Sequence, residues 1–187
     1  VRYIPVDPKT LTLDLGVLPG LLGENTRLVA VGAASNGIGT VHDVREIARQ
    51  ARAVGALVAV DAVHAIPHFF VDREELGIDL LFASSYKFFG PHMGMSVIRR
   101  ELLERLPVYK VRPASDAAPE RLETGTQNLE AIAALPATVN FIAGFGSGAT
   151  LTEKVRSGYR VIGEYEDMLG NMLREGLAGI PGVTLFQ

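Results

Sequence analysis

Short, nearly continuous apolar runs alternate along the chain with longer segments whose apolar residues recur at helical spacing, and that alternation predicts an α/β fold. Residues 27–33 (RLVAVGA) are β-branched with few polar members, as a parallel strand covered on both faces requires. Residues 42–54 then place Val44, Ile47, Ala48 and Ala51 on one helical face. Arg45, Glu46, Arg49, Gln50 and Arg52 fill the other, and Gly55 stands where a C-terminal cap belongs. Residues 56–61 (ALVAVD) read as the next strand, 72–76 as a short helix, 79–83 (DLLFA) as a third buried strand and 93–99 (MGMSVIR) as a fourth. Pro107, Pro113 and Pro119 punctuate 108–123, predicting an ordered loop of the kind that often carries function. An alanine-rich helix follows over 128–143, a break over 144–148, and a long helix of mixed charge over 152–178. The opening residues 1–7 and the closing residues 182–187 both read as strands, the latter cut short, so that the chain is expected to begin inside a longer protein.

Composition narrows the classes of function. With 48% hydrophobic residues in 187 positions, the chain can bury one sizeable core and has the length of one domain, or of one domain plus an appended piece of a second. It contains no cysteine, which removes disulfides, thiolate metal sites and a cysteine nucleophile from its own repertoire, and fits a reducing compartment. The 18 basic residues are scattered among 21 acidic ones, a net charge of −3 that offers no clustered surface for nucleic acid. Asp14, Glu24, Asp61 and Asp79 interrupt the most hydrophobic stretches, so no run approaches the roughly 20 apolar residues that cross a bilayer.

Consecutive parallel strands end on one edge of their sheet, which makes the residues just after each strand the candidates for ligand contact. Three such ends are unusually polar: residues 34–40 (ASNGIGT), 61–64 (DAVH) and 84–92 (SSYKFFGPH). Asp61 emerges from an apolar strand, where a carboxylate needs a cation or N–H donors. Lys87 follows another such strand, and a partly buried lysine becomes a nucleophilic amine. A carboxylate for a pyridinium nitrogen and a lysine for an aldehyde are the pair that pyridoxal phosphate chemistry requires, while Ser84 and Ser85 add hydroxyls suited to a phosphate. Plainer readings stand beside this one: an Asp61–Lys87 ion pair at the sheet edge, Asn36-Gly37 and Gly90-Pro91 as turns, and His64 as a structural histidine. The P-loop and dinucleotide fingerprints are absent. A metal site from His64, His68 and His92 lacks supporting spacing, and none is expected.

In order and spacing, Ser35-Asn36, Asp61-Ala62-Val63-His64, Ser84 to Lys87 with Gly90-Pro91, and Gly125-Thr126-Gln127-Asn128 resemble the motifs of the class V aminotransferase and cysteine desulfurase superfamily of fold-type I pyridoxal phosphate enzymes. The strings VDAVHAIPH, SSYKFFGPHMG and RLETGTQN look most like its cysteine desulfurase-like branch. The resemblance implies a three-layer α/β/α large domain with a mainly parallel sheet, incomplete at both ends. Residues 1–145 would form part of that cofactor-binding domain, and 146–187 a long helix and the start of a smaller C-terminal domain.

It further implies that Lys87 forms the Schiff base with pyridoxal 5'-phosphate and moves the substrate Cα proton, and that Asp61 keeps the pyridine nitrogen protonated. Asn36 and His64 would lie against the ring near its phenolic oxygen. Ser84 would donate to the phosphate, with Tyr86 replacing a histidine common there. Thr126 would reach the phosphate of a neighbouring subunit, implying a homodimer. The substrate would be an amino acid and the setting cytoplasmic. The superfamily's upstream phosphate turn, substrate-carboxylate arginine and sulfur-accepting cysteine have no counterpart in these residues. The alternatives are therefore a catalytically inactive fragment or scaffold and, more remotely, a binding module for another phosphate ligand.

Overall fold

A computed structural model describes residues 1–123 and 125–186. Its centre is a four-stranded sheet in the order β1 (Leu28–Gly32), β2 (Leu57–Asp61), β3 (Leu80–Ser84), β4 (Gly94–Ile98). The first three strands are parallel, with Gly32 beside Asp61 and Asp61 beside Phe82, whereas β4 runs antiparallel to β3 and pairs Gly94 with Ser84. The mainly parallel α/β sheet expected from the apolar runs is thus present. The reversal at β4 follows from its connection: only nine residues, 85–93, separate β3 from β4, too few for the crossover that a parallel partner needs. β4 is also largely exposed rather than buried.

Helix α2 (Val44–Ala53) joins β1 to β2 and buries the predicted stripe of Val44, Ile47, Ala48 and Ala51. Asp43 caps its first turn by accepting the Glu46 N–H at 2.9 Å. The stripe meets Val29, Val58, Val60 and Leu81, which period-2 alternation and strand register place on one sheet face. Burial of each of the fully enclosed Ile47, Val58 and Val60 stabilises by about 1.5–3 kcal/mol. On the other side of the alternation Leu28, Ala30, Asp61 and Phe82 are exposed.

Helices α5 (Leu129–Ala143) and α6 (Leu151–Ala178) pack on each other against the β3 end of the sheet, where Ile142 and Tyr159 pack with Ala83 and Phe88. Their approach depends on Gly158, because a Cβ there would stand 2.3 Å from the Ile142 carbonyl oxygen. α6 opens with a reciprocal capping box between Thr150 and Glu153. Short helices α1 (Leu18–Leu21), α3 (Arg73–Leu76) and α4 (Arg100–Arg105) complete the element set; α1 and α4 were not legible as periodic segments, being only one turn or two. Two expectations fail at the chain ends. Residues 1–7 form no strand, only an isolated bridge from Val6 to Leu13, and 182–186 are irregular; Gln187, the last residue of that expected strand, lies outside the described residues.

Asp79 is a buried charge that the sequence reading left without a role. It is 4% exposed, accepts the Val58 N–H at 2.9 Å and pairs with Arg99 at 2.5 Å, tying the start of β3 to β2 and to the end of β4.

Candidate active site

The three polar strand ends lie together at one edge of the sheet, ordered by the register that sets Gly32, Asp61 and Phe82 side by side. After β1 the chain folds into a small hairpin in which the Ser35 N–H donates to Thr40 O at 2.9 Å and the Gly39 N–H donates to Ser35 O at 3.1 Å. The Ser35 hydroxyl accepts from the N–H groups of Gly37 and Ile38, leaving Asn36 exposed at the tip. His42 anchors the hairpin base, with Nδ1 2.7 Å from Gly32 O.

Asp61 ends β2 exposed, and its carboxylate accepts the Val63 N–H at 2.9 Å. A donor therefore meets it, as its position demands, but the donor is backbone rather than a cation. Residues 62–69 wind into successive turns that place His64 and His68 four residues apart on one side. Their rings meet edge to face at 5.6 Å, and His68 Nδ1 lies 2.8 Å from Glu166 Oε2 on α6.

Past β3, Ser85–Phe88 form a single 3-10 turn carrying Tyr86 and Lys87 outward, closed by Phe89 in the left-handed region at φ 68°. Ser84 is half-buried at the strand end, on the same face as Asp61 by alternation from Phe82. Ser85, fully buried, donates its hydroxyl to Pro91 O and Met93 O. The tight return at Gly90 leaves no room for a Cβ, which would sit 2.9 Å from both Ser85 Cβ and Ser85 O. Tyr86 stacks on His92 with ring centres 4.5 Å apart and planes 6° from parallel, while Lys87 Nζ lies 5.3 Å from the Tyr86 ring centre.

Lys87 is exposed, contrary to the expected partial burial, because the 3-10 turn directs Ser85 and Phe88 inward and Tyr86 and Lys87 outward. Among the described residues neither Asp61 nor Lys87 belongs to an ion pair, so the sheet-edge salt bridge that would have made them merely structural is not formed. Thr126 is exposed between the turn at Glu120–Leu122 and α5, and among the described residues no hydrogen bond ties it to the three strand ends. Its neighbour Asn128 caps α5 through the Ala131 N–H at 3.0 Å, and Arg121 donates to the carbonyls of Glu104 and Leu106 at the end of α4. His92 stacks on Tyr86, apart from the His64–His68 pair, and among the described residues no cluster of metal-ligating side chains forms. No helix among them is long and apolar enough to cross a membrane.

A cleft of about 540 Å³ opens between the hairpin, residues 64–70 and α6, with His64, His68, Phe70, Tyr159, Arg160 and Glu166 on its walls. Burial pushes the Tyr159 hydroxyl up to about 12. Arg156 lies over Phe70 at 4.3 Å and binds Glu75 at 2.7 Å, a contact that raises its already high pKa. The sequence singles out His68 only among three candidate metal ligands and gives no signal for Glu166, which stands 98 residues from it.

The family model for aminotransferase class V matches residues 1–187. Cysteine desulfurases from Pectobacterium carotovorum subsp. carotovorum (strain PC1) and Serratia proteamaculans (strain 568) are 32% and 31% identical to the chain over 199 residues, covering 100% of it and 46% of each relative. The cysteine desulfurase CsdA from Escherichia coli (S-sulfonic acid form) superposes with a TM-score of 0.77 at 26% identity, covering 97% of this chain and 45% of that one. The apo cysteine desulfurase of Thermococcus onnurineus NA1 gives 0.68 at 25% identity, over 95% and 44%. The chain thus spans about half the length of the relatives it matches. With the family model covering every residue and the polar strand ends gathered at one sheet edge, the chain belongs to the class V aminotransferase family.

Proposed function

We propose that this chain is the central part of a pyridoxal-phosphate-dependent enzyme that acts on an amino acid in the manner of a cysteine desulfurase. The observation that carries this reading is the separation of Asp61 and Lys87: they emerge from neighbouring parallel strands at the same sheet edge, yet among the described residues neither is spent on an ion pair. The donor set fits the cofactor. Lys87 offers an amine for its aldehyde, Asp61 retains carboxylate acceptor capacity for a protonated ring nitrogen, and Ser84 and Tyr86 offer hydroxyls for its phosphate.

When bound, pyridoxal phosphate supplies an electron sink for a carbanion at the substrate Cα. Lys87 would hold the cofactor through Nζ and would move the substrate Cα proton at that atom. Asp61 would keep a proton on the ring nitrogen, and Asn36 and His64 would lie against the ring near its phenolic oxygen. Thr126, exposed and without a hydrogen bond to the strand ends among the described residues, is assigned to the phosphate of a neighbouring subunit in a homodimer. Residues 1–145 are assigned to part of the large domain and 146–187 to a long helix and the start of a smaller C-terminal domain. A cytoplasmic setting accords with the cysteine-free sequence.

Sulfide release from cysteine in the presence of a thiol reductant, compared with amino transfer to a 2-oxo acid, tests the reading in the full chain. The expected result is alanine and sulfide, with a loss of at least about 100-fold in Lys87→Ala. Absence of both products would favour the inert-scaffold alternative.

A further inference from the structure

We infer that His68 and Glu166 are positioning residues that fix the cofactor-facing ring of His64 from the long helix α6; this rests on the placement of His64 beside the cofactor proposed above. Glu166 is a carboxylate and accepts only, so the nitrogen 2.8 Å from it, His68 Nδ1, carries the proton. That bond selects the His68 tautomer and sets the plane of its ring, and the ring edge in turn meets His64 at 5.6 Å, 69° from parallel. His64 has no hydrogen bond to protein of its own among the described residues. Its orientation is therefore set by packing against His68.

The same helix is docked on the same segment at two further points. Tyr159 packs edge to face on Phe70 at 6.2 Å, and Arg156 covers Phe70 while holding Asp72 and Glu75. These contacts locate α6 but reach no residue assigned to the cofactor. The Glu166–His68 bond alone continues to His64, so it carries the position of α6 into the site. His64, His68 and Glu166 accordingly all line the 540 Å³ cleft.

The full chain contains four histidines, His42, His64, His68 and His92, few enough for each ring C2 proton to be assigned by its absence in a His→Gln variant. Without cofactor, Glu166→Gln is expected to displace the His64 resonance in the otherwise unaltered protein and to leave it unmoved in a His68→Gln background. Glu164→Gln, on an exposed part of the same helix, is expected to leave it unmoved in both. With cofactor, each of the Glu166 and His68 variants is expected to weaken pyridoxal phosphate binding roughly two- to five-fold, and the double variant no further than either single one. A His64 resonance that ignores Glu166→Gln, or that moves equally without His68, would overturn the inference whether or not cofactor binds. Failure of the unaltered protein to bind pyridoxal phosphate, with the resonance coupling intact, would instead count against the functional reading alone.

Discussion

Ser85 donates its hydroxyl to the Pro91 carbonyl at 2.5 Å, closing the turn on which Lys87 is displayed. The hydroxyl also reaches Met93 O at 3.2 Å, but that carbonyl already accepts the Ser85 N–H at 2.9 Å, so it is Pro91 O that depends on the buried hydroxyl. Ser85→Ala leaves Pro91 O without that donor and is expected to destabilise the fold by about 1–2 kcal/mol, a fall in Tm of about 3–6 °C. A thermal scan showing no change would assign the turn's shape to its backbone instead.

The buried carboxylate of Asp79 joins three strands through the Val58 N–H and Arg99. Asp79→Ala strands both partners, at an expected cost of about 2–4 kcal/mol. Arg99, half-exposed, regains solvent in Asp79→Ala, whereas Arg99→Ala leaves the buried Asp79 carboxylate without its cation and should cost more, about 3–5 kcal/mol. Urea unfolding of the two variants checks the order.

Two glycines of α6 separate space from helix propensity. Gly158→Ala drives a Cβ to 2.3 Å from Ile142 O and is expected to destabilise by about 1–3 kcal/mol or to push α5 and α6 apart. At Gly163 a Cβ meets nothing within 4 Å, so Gly163→Ala should stabilise by about 0.5–1 kcal/mol. Opposite signs in one unfolding experiment are the predicted result.

Stability should depend on pH at both extremes. Hydrogen bonds from Arg49, and then Gln50, hold the Glu46 carboxyl down to about 2. The unfolded chain takes up that proton near about 4.3 while the folded chain does not, so this contribution is present above about pH 4.3 and is lost as pH falls toward 2. Glu46→Gln should flatten the acid limb of the unfolding midpoint in that window. Tyr159 titrates in the opposite sense: burial raises it to about 12, so stability persists below about pH 10 and declines between about 10 and 12 as the unfolded chain ionises first. Tyr159→Phe should remove that alkaline decline.

The parts of this fold legible from sequence were those written in local periodicity. The α2 stripe, the strands at 28–32 and 57–61, and the two long C-terminal helices needed only neighbouring residues to declare themselves. Asp61, Lys87, Ser84 and Asn36 were legible as strand-end chemistry because parallel topology forces such residues to one edge. The antiparallel turn into β4 depends on Ser85 and Gly90 fitting a short loop, and the exposure of Lys87 follows from that turn rather than from the apolar strand before it. The bonds from Asp79 to Arg99 and from His68 to Glu166 join residues 20 and 98 apart, beyond the reach of any local pattern. The N-terminal run looked like a strand by composition, yet composition does not supply a partner strand for it.

The most direct test of the account is reduction of the full chain with borohydride after incubation with pyridoxal phosphate, followed by mapping of the modified lysine. Loss of the Schiff-base absorbance and one stable adduct, at Lys87, are expected, with the yield reduced in Asp61→Ala. An adduct at Lys9, Lys110 or Lys154 in place of Lys87, or no saturable adduct at all, would contradict it.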